Sequence, residues 1–154
     1  MSRDFQRARV YRAEHCFTAL LDESVENPQI FMAGSTLVLP PEAKFSTPAT
    51  VQAYVDRVSN HPTVVDRYGS SRVTVRKRNG VSRAHYQLGE IAVPDAKWAL
   101  RETVILHELA HHFSRDGHGP QFVGAFLDLI DAAMGVQAQL VLRILFGESG
   151  VCAY

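Results

Sequence analysis

Between residues 4 and 21 the chain is charged but periodic, with Phe5, Ala13, Phe17 and Leu20 falling roughly on one stripe. That spacing predicts an amphipathic helix, closed by the polar stretch 22–28. Residues 30–39 are apolar and partly β-branched, contain Gly34 and run into Pro40-Pro41. A strand or bent hairpin fits there. Thr47-Pro48 supplies an N-cap followed by proline at the first helical position. The helix it opens is expected to reach about Asn60, because Pro62 stops it.

The clearest alternation follows. Arg72-Val-Thr-Val-Arg-Lys-Arg78 alternates, Asn79-Gly80 reads as a two-residue type I′ turn, and residues 81–88 alternate back. A hairpin closed at that turn pairs Arg78 with Val81, Arg76 with Arg83 and Val75 with Ala84. Val73, Val75, Ala84, Tyr86 and Leu88 then face the core, and Arg72, Arg76, Arg78, Arg83 and His85 face the other way. Residues 90–93 continue as a strand after Gly89.

Asp95 is the expected N-cap of the next helix, which Trp98, Arg101, Val104, Ile105, Leu109 and Phe113 carry to about residue 113. A turn over 114–119 leads to a helix opened by Pro120, with Phe122, Phe126, Leu129, Ile130 and Ala133 inward. Met134 lies on that core stripe. Gly135 ends or kinks the helix, and a last one spans 136–146, capped by Gly147. It is apolar on most sides, so it is either buried or part of a contact with a second copy.

Composition narrows the class. A chain of 154 residues fits a single domain over 1–154, long enough to bury a core without disulfides. An apolar share of 46% and a charged share of 21% exclude a disordered or fibrous chain. The longest apolar runs are four residues, too short for a transmembrane helix. The first residues lack the apolar stretch of a signal peptide, so a cytoplasmic location is expected. Cys16 and Cys152 have no CxxC partner, which excludes a zinc ribbon and a disulfide scaffold. Lys+Arg and Asp+Glu balance at 16 each, which argues against a surface built wholly for nucleic acid.

Histidine is the unusual residue. Four of the seven, His107, His111, His112 and His118, fall within twelve residues. His107-Glu108-Leu109-Ala110-His111 is HExxH, inside the strongest helical segment. Residues four apart on a helix rise about 6 Å and sit about 40° apart around the axis, so both imidazoles reach one ion. Glu108 is offset by one residue and borders that site, where a carboxylate can take a proton from a metal-bound water. A catalytic zinc takes three protein ligands and keeps one position open, so a third ligand is needed. His118 follows after a turn and can fold back beside the helix. Asp116 is the rival. His112 points about 100° away from His111 and is a poor ligand for the same ion. Three neutral imidazoles suit Zn2+ better than magnesium or calcium.

The run His107-Glu-Leu-Ala-His-His-Phe-Ser-Arg-Asp-Gly-His-Gly-Pro-Gln-Phe122 resembles the metal site of SprT-like zincin metallopeptidases. Those carry HExxH, a variable insert and a third zinc histidine in a His-Gly-Pro-x-Phe context, here His118-Gly119-Pro120-Gln121-Phe122. The segment Gly89-Glu-Ile-Ala-Val-Pro94, then Trp98-Ala-Leu-Arg-Glu102, looks like the strand preceding the active helix in that group. The chain is also similar to a smaller family of metallohydrolases of actinobacteria and their phages, through Gln6-Arg-Ala-Arg-Val-Tyr11 and His107-Glu-Leu-Ala-His-His-Phe113. The resemblance is specific over about residues 85–122. It implies a small α+β zincin-like domain whose curled β-sheet packs on the HExxH active-site helix, with additional helices. It implies His107, His111 and His118 as zinc ligands, Glu108 as catalytic acid and base, and a protein or peptide substrate. The chain departs from the group in having no C-terminal CxxC ribbon and only a short insert between His111 and His118.

Two further features bear on partners. Residues 67–83 carry a charge of +6, whereas residues 86–154 carry −4. Arg72, Arg76, Arg78 and Arg83 are therefore candidate nucleic-acid contacts, DNA among them, or else the solvated face of a β-ribbon. A like-charge pair of Arg76 and Arg83 across a hairpin costs stability unless an anion sits between them. Tyr68 and Tyr86 are candidate oxyanion partners, although Tyr86 reads first as a core residue. The competing function is a non-catalytic zincin-fold module that docks DNA or protein.

Overall fold

The computed structural model describes residues 4–80 and 83–153. Among them the chain runs α1 (Arg7–Ser24), β1 (Gln29–Met32), β2 (Ser35–Val38), α2 (Pro48–Ser59), α3 (Pro62–Tyr68), β3 (Thr74–Arg78), β4 (His85–Gln87), β5 (Glu90–Pro94), α4 (Glu102–His112), α5 (Pro120–Met134) and α6 (Val136–Glu148). This is an α+β protein. No described helix is long and apolar enough to cross a membrane. Contacts gather into two compact units, one within Met1–Glu42 and Ser114–Tyr154, the other within Ala43–Phe113.

In the first unit α6 packs on α1, α5 and β2. The stripe that α1 buries is Val10, Ala13, Phe17 and Leu21. It is rotated from the expected one, for Phe5 precedes the helix and is exposed, and Leu20 is only half-buried. Phe122, Phe126 and Phe146 stack in series at centroid distances of 5.8 and 6.3 Å. Buried on Ala138, Val141, Leu142, Leu145 and Phe146, α6 is a core helix, and Met134 is buried at the end of α5. The apolar run after residue 29 is a hairpin, β1 against β2, turning through Ala33 and Gly34 at φ 51° and 78°. Two consecutive left-handed residues make the two-residue turn whose twist matches paired strands.

In the second unit a three-stranded sheet has the order β3-β5-β4. β3 runs parallel to β5, and β4 antiparallel to it. The expected hairpin between β3 and β4 is therefore not formed. Arg76 stands beside Ala92 rather than Arg83, Val75 beside Ile91, and Arg78 beside Pro94. Val81, proposed to face Arg78, lies outside the described residues. The strand order follows from hydropathy. Ile91, Ala92, Val93 and Pro94 are all buried, as only a central strand flanked by two others and covered by helices requires. The Arg-rich β3 serves at the edge, where charge discourages further pairing. The tight turn falls instead at Leu88 and Gly89, φ 46° and 82°, between paired Gln87 and Glu90. Leu88, assigned to the core by alternation, is 93% exposed at that turn, while Val73 and Ala84 are buried as expected.

Thr47 and Pro48 open α2 as the sequence suggests, and it covers β3. Pro62 ends α2 but also opens the short α3, capped by the His61 ring, which accepts from the Thr63 N–H. The largest difference from the expected elements precedes α4. That helix begins at Glu102, not beyond Asp95, and Trp98 is 47% exposed. The backbone of residues 100–102 is engaged elsewhere: Phe45 donates to the Leu100 carbonyl, Lys44 bridges Arg101, and Glu102 donates to the Ala43 carbonyl. An extended Arg101 with ψ 150° cannot continue a helix. The Glu102 carboxylate then accepts from the Ala43 N–H at 3.0 Å and from the Tyr54 hydroxyl, which anchors the start of α4.

Candidate metal centre

α4, from Glu102 to His112, carries the HExxH run at 107–111, and nearly every side chain from Glu102 to Ala110 is buried. His107 and Glu108 are buried with it. The Nε2 atoms of His107 and His111 stand 3.2 Å apart. Two imidazole nitrogens at tetrahedral angles on one zinc, each about 2.0–2.1 Å from it, would stand about 3.3 Å apart. The helical spacing thus produces the separation that a shared ion asks for. His107, His111 and His118 form a group that could hold a metal ion, with one ligand atom of each within 4.8 Å of the others. A set of three imidazoles fits a borderline-soft cation such as zinc, copper or nickel rather than magnesium or calcium. Glu108 follows His107 directly, as the sequence requires.

His118 is held by the amino-terminal segment. Its Nδ1 lies 2.7 Å from Asp4 Oδ2, and its backbone N–H donates to Asp4 Oδ1 at 3.3 Å. Gln6 Nε2 donates to the His118 carbonyl at 3.1 Å. The Tyr11 and Phe122 rings flank the imidazole at 5.1 and 4.9 Å. Sequence reasoning missed Asp4 altogether. A lone acid 114 positions before its partner leaves no local signal.

Asp116, the rival ligand, has another task. Its Oδ2 accepts from the Gln121 N–H at 2.8 Å and its Oδ1 from the Phe122 N–H at 3.0 Å. It caps the start of α5, where the first amides have no partner inside the helix. Gly119 makes this possible, because a Cβ there would stand 2.5 Å from Asp116 Oδ2.

His112 is turned to different partners, as its angular offset from His111 predicts. Its Nε2 lies 2.7 Å from Ser71 Oγ and its Nδ1 2.8 Å from the Tyr86 hydroxyl, which accepts from the Gly89 N–H at 2.9 Å. Both ring nitrogens are thus engaged by hydroxyls, and burial lowers the imidazole pKa from its ordinary value. Tyr86, a candidate oxyanion partner, is half-buried with its hydroxyl in this chain. Tyr68, the other candidate, stacks on Phe113 at 5.0 Å.

The basic candidates are not gathered as the hairpin implied. Arg76 Nε lies 2.5 Å from Glu90 Oε1, so an acid from the neighbouring strand answers its charge. Arg78 donates to the Arg83 carbonyl. Arg72 and Arg83 are exposed. The like-charge pair that argued for an intervening anion does not exist.

Compared with protein-family models, with curated proteins and with solved structures, the chain matches none.

Proposed function

We propose that this protein is a zinc-dependent hydrolase of the zincin type, most readily a metallopeptidase. The observation that supports this best is the three-histidine group, two of its members spaced by one turn of a buried helix and separated by the one glutamate that hydrolytic chemistry needs. His107, His111 and His118 would hold the ion. Zinc so bound supplies Lewis acidity that polarises a carbonyl and acidifies water. Glu108 takes the proton from the attacking water and delivers it to the leaving amine. The burial of His107 and Glu108 strengthens the electrostatic effect of both, since the surroundings screen them less than water does. A purely structural zinc site has no use for a carboxylate in that position.

The test is a broad peptide-cleavage screen with zinc-loaded protein, chelator-stripped protein and stripped protein given zinc again. Cleavage lost on stripping and restored by zinc is the expected result. Cleavage that ignores the metal, or none with any substrate, would overturn the assignment.

A further inference from the structure

The amino-terminal segment of the chain does something that the hydrolase proposal leaves unassigned. Asp4 spans His118, with one carboxylate oxygen on ring Nδ1 at 2.7 Å and the other on the backbone N–H of the same residue. The His118 side chain is 8% exposed and that of Asp4 30%, so the contact is largely shielded from solvent. Gly117 clears the way: it adopts φ 64°, and a Cβ there would already stand 3.0 Å from Asp4 Oδ2. Gln6 holds the same segment at its other end. Its Nε2 reaches the carbonyls of His118 and Cys152, and its Oε1 accepts from the Cys152 N–H at 2.6 Å. The Tyr11 and Phe122 rings lie against the His118 imidazole at 5.1 and 4.9 Å and limit its tilt.

We infer that Asp4 is a positioning residue for metal binding: its carboxylate holds His118 Nδ1–H so that Nε2 is the ligating nitrogen. The inference rests on the three-histidine metal site. Its physical basis is general. A carboxylate on the far nitrogen of a metal-bound imidazole selects the tautomer, fixes the ring plane and raises ligand basicity, and its loss typically costs about 10- to 100-fold in metal affinity.

The test is competitive zinc titration of the full chain and of its Asp4→Ala, Asp4→Asn, Gln6→Ala and His118→Ala variants, with the visible bands of the cobalt-loaded forms as a second readout. Thermal unfolding of each metal-free protein reports on the fold. Asp4→Ala should weaken zinc by about 10- to 100-fold and alter the cobalt bands. Asp4→Asn keeps the shape and an acceptor oxygen but not the charge. It should lose less, near the lower end of that range, and it decides the matter if Asp4→Ala does not fold. Gln6→Ala removes the segment's backbone anchors but not the contact to Nδ1, so its cobalt bands should match wild type. The inference is overturned if His118→Ala weakens zinc while the Asp4 variants bind as wild type does. It is equally overturned if Gln6→Ala reproduces the Asp4→Ala loss, since Asp4 would then only anchor the chain. Wild-type zinc affinity in His118→Ala would instead bring down the three-histidine site itself.

Discussion

His107 and His111 bring their Nε2 atoms to 3.2 Å of each other on α4, the spacing of two ligands on one small cation. Purified protein should therefore carry about one zinc per chain, as three neutral imidazoles suit zinc. Elemental analysis after zinc loading and desalting is the check. A preparation with no stoichiometric transition metal would remove the basis of the proposed chemistry.

The third ligand separates from its neighbours by mutation. His118→Ala should weaken zinc by more than about 100-fold, beyond what the loss of a merely orienting group costs. Asp116→Ala should leave zinc affinity near wild type and lower stability by about 1 kcal/mol, since two amides at the start of α5 lose their acceptor. His112→Ala should change zinc affinity by no more than about tenfold, because Ser71 and Tyr86 engage its ring. Asp116→Ala emerging as the worst zinc binder of the three would move the ligand set to two histidines and an aspartate.

Glu108→Gln keeps the size and helix propensity of the side chain and leaves all three histidines in place. Zinc content and melting temperature should hardly change, while turnover should fall by about 100- to 10,000-fold, the usual share of general acid–base catalysis. Equal rates for variant and wild type on a metal-dependent substrate would show that Glu108 is not the base.

Leu88 holds φ 46° in the turn before β5 and is 93% exposed, so it accepts backbone strain without burying its side chain. Asparagine tolerates the left-handed region better. Leu88→Asn should raise stability by about 0.5–1 kcal/mol, seen as a higher urea midpoint at unchanged slope. A lower midpoint would mean that the exposed leucine makes a contact in solution that outweighs the strain.

Features whose causes lie within a few residues were legible in the sequence. Thr47 and Pro48 open α2, Gly135 separates α5 from α6, and Phe122, Phe126, Leu129 and Ile130 of α5 are buried where its period places them, with Ala133 only half-buried. The HExxH pair belongs to the same group, because residues four apart on any helix share a face.

Alternation along a strand states which side chains share a face but not which strand lies alongside. Asn79-Gly80 therefore looked like a hairpin turn, whereas β5, being apolar on both faces, took the centre between β3 and β4. The start of α4 was illegible for a similar reason: residues 100–102 give their backbone groups to residues 43–45, and no local propensity reports that engagement. The contact from Asp4 to His118 spans 114 positions. By itself the sequence determined which residue types stand at the candidate site and how His107, Glu108 and His111 are spaced, since both are local properties. Tertiary structure alone decided which carboxylate holds His118 and which one caps α5. Asp4 and Asp116 are equivalent as isolated residues, and only the folded path of the chain places one on a ring nitrogen and the other at a helix start.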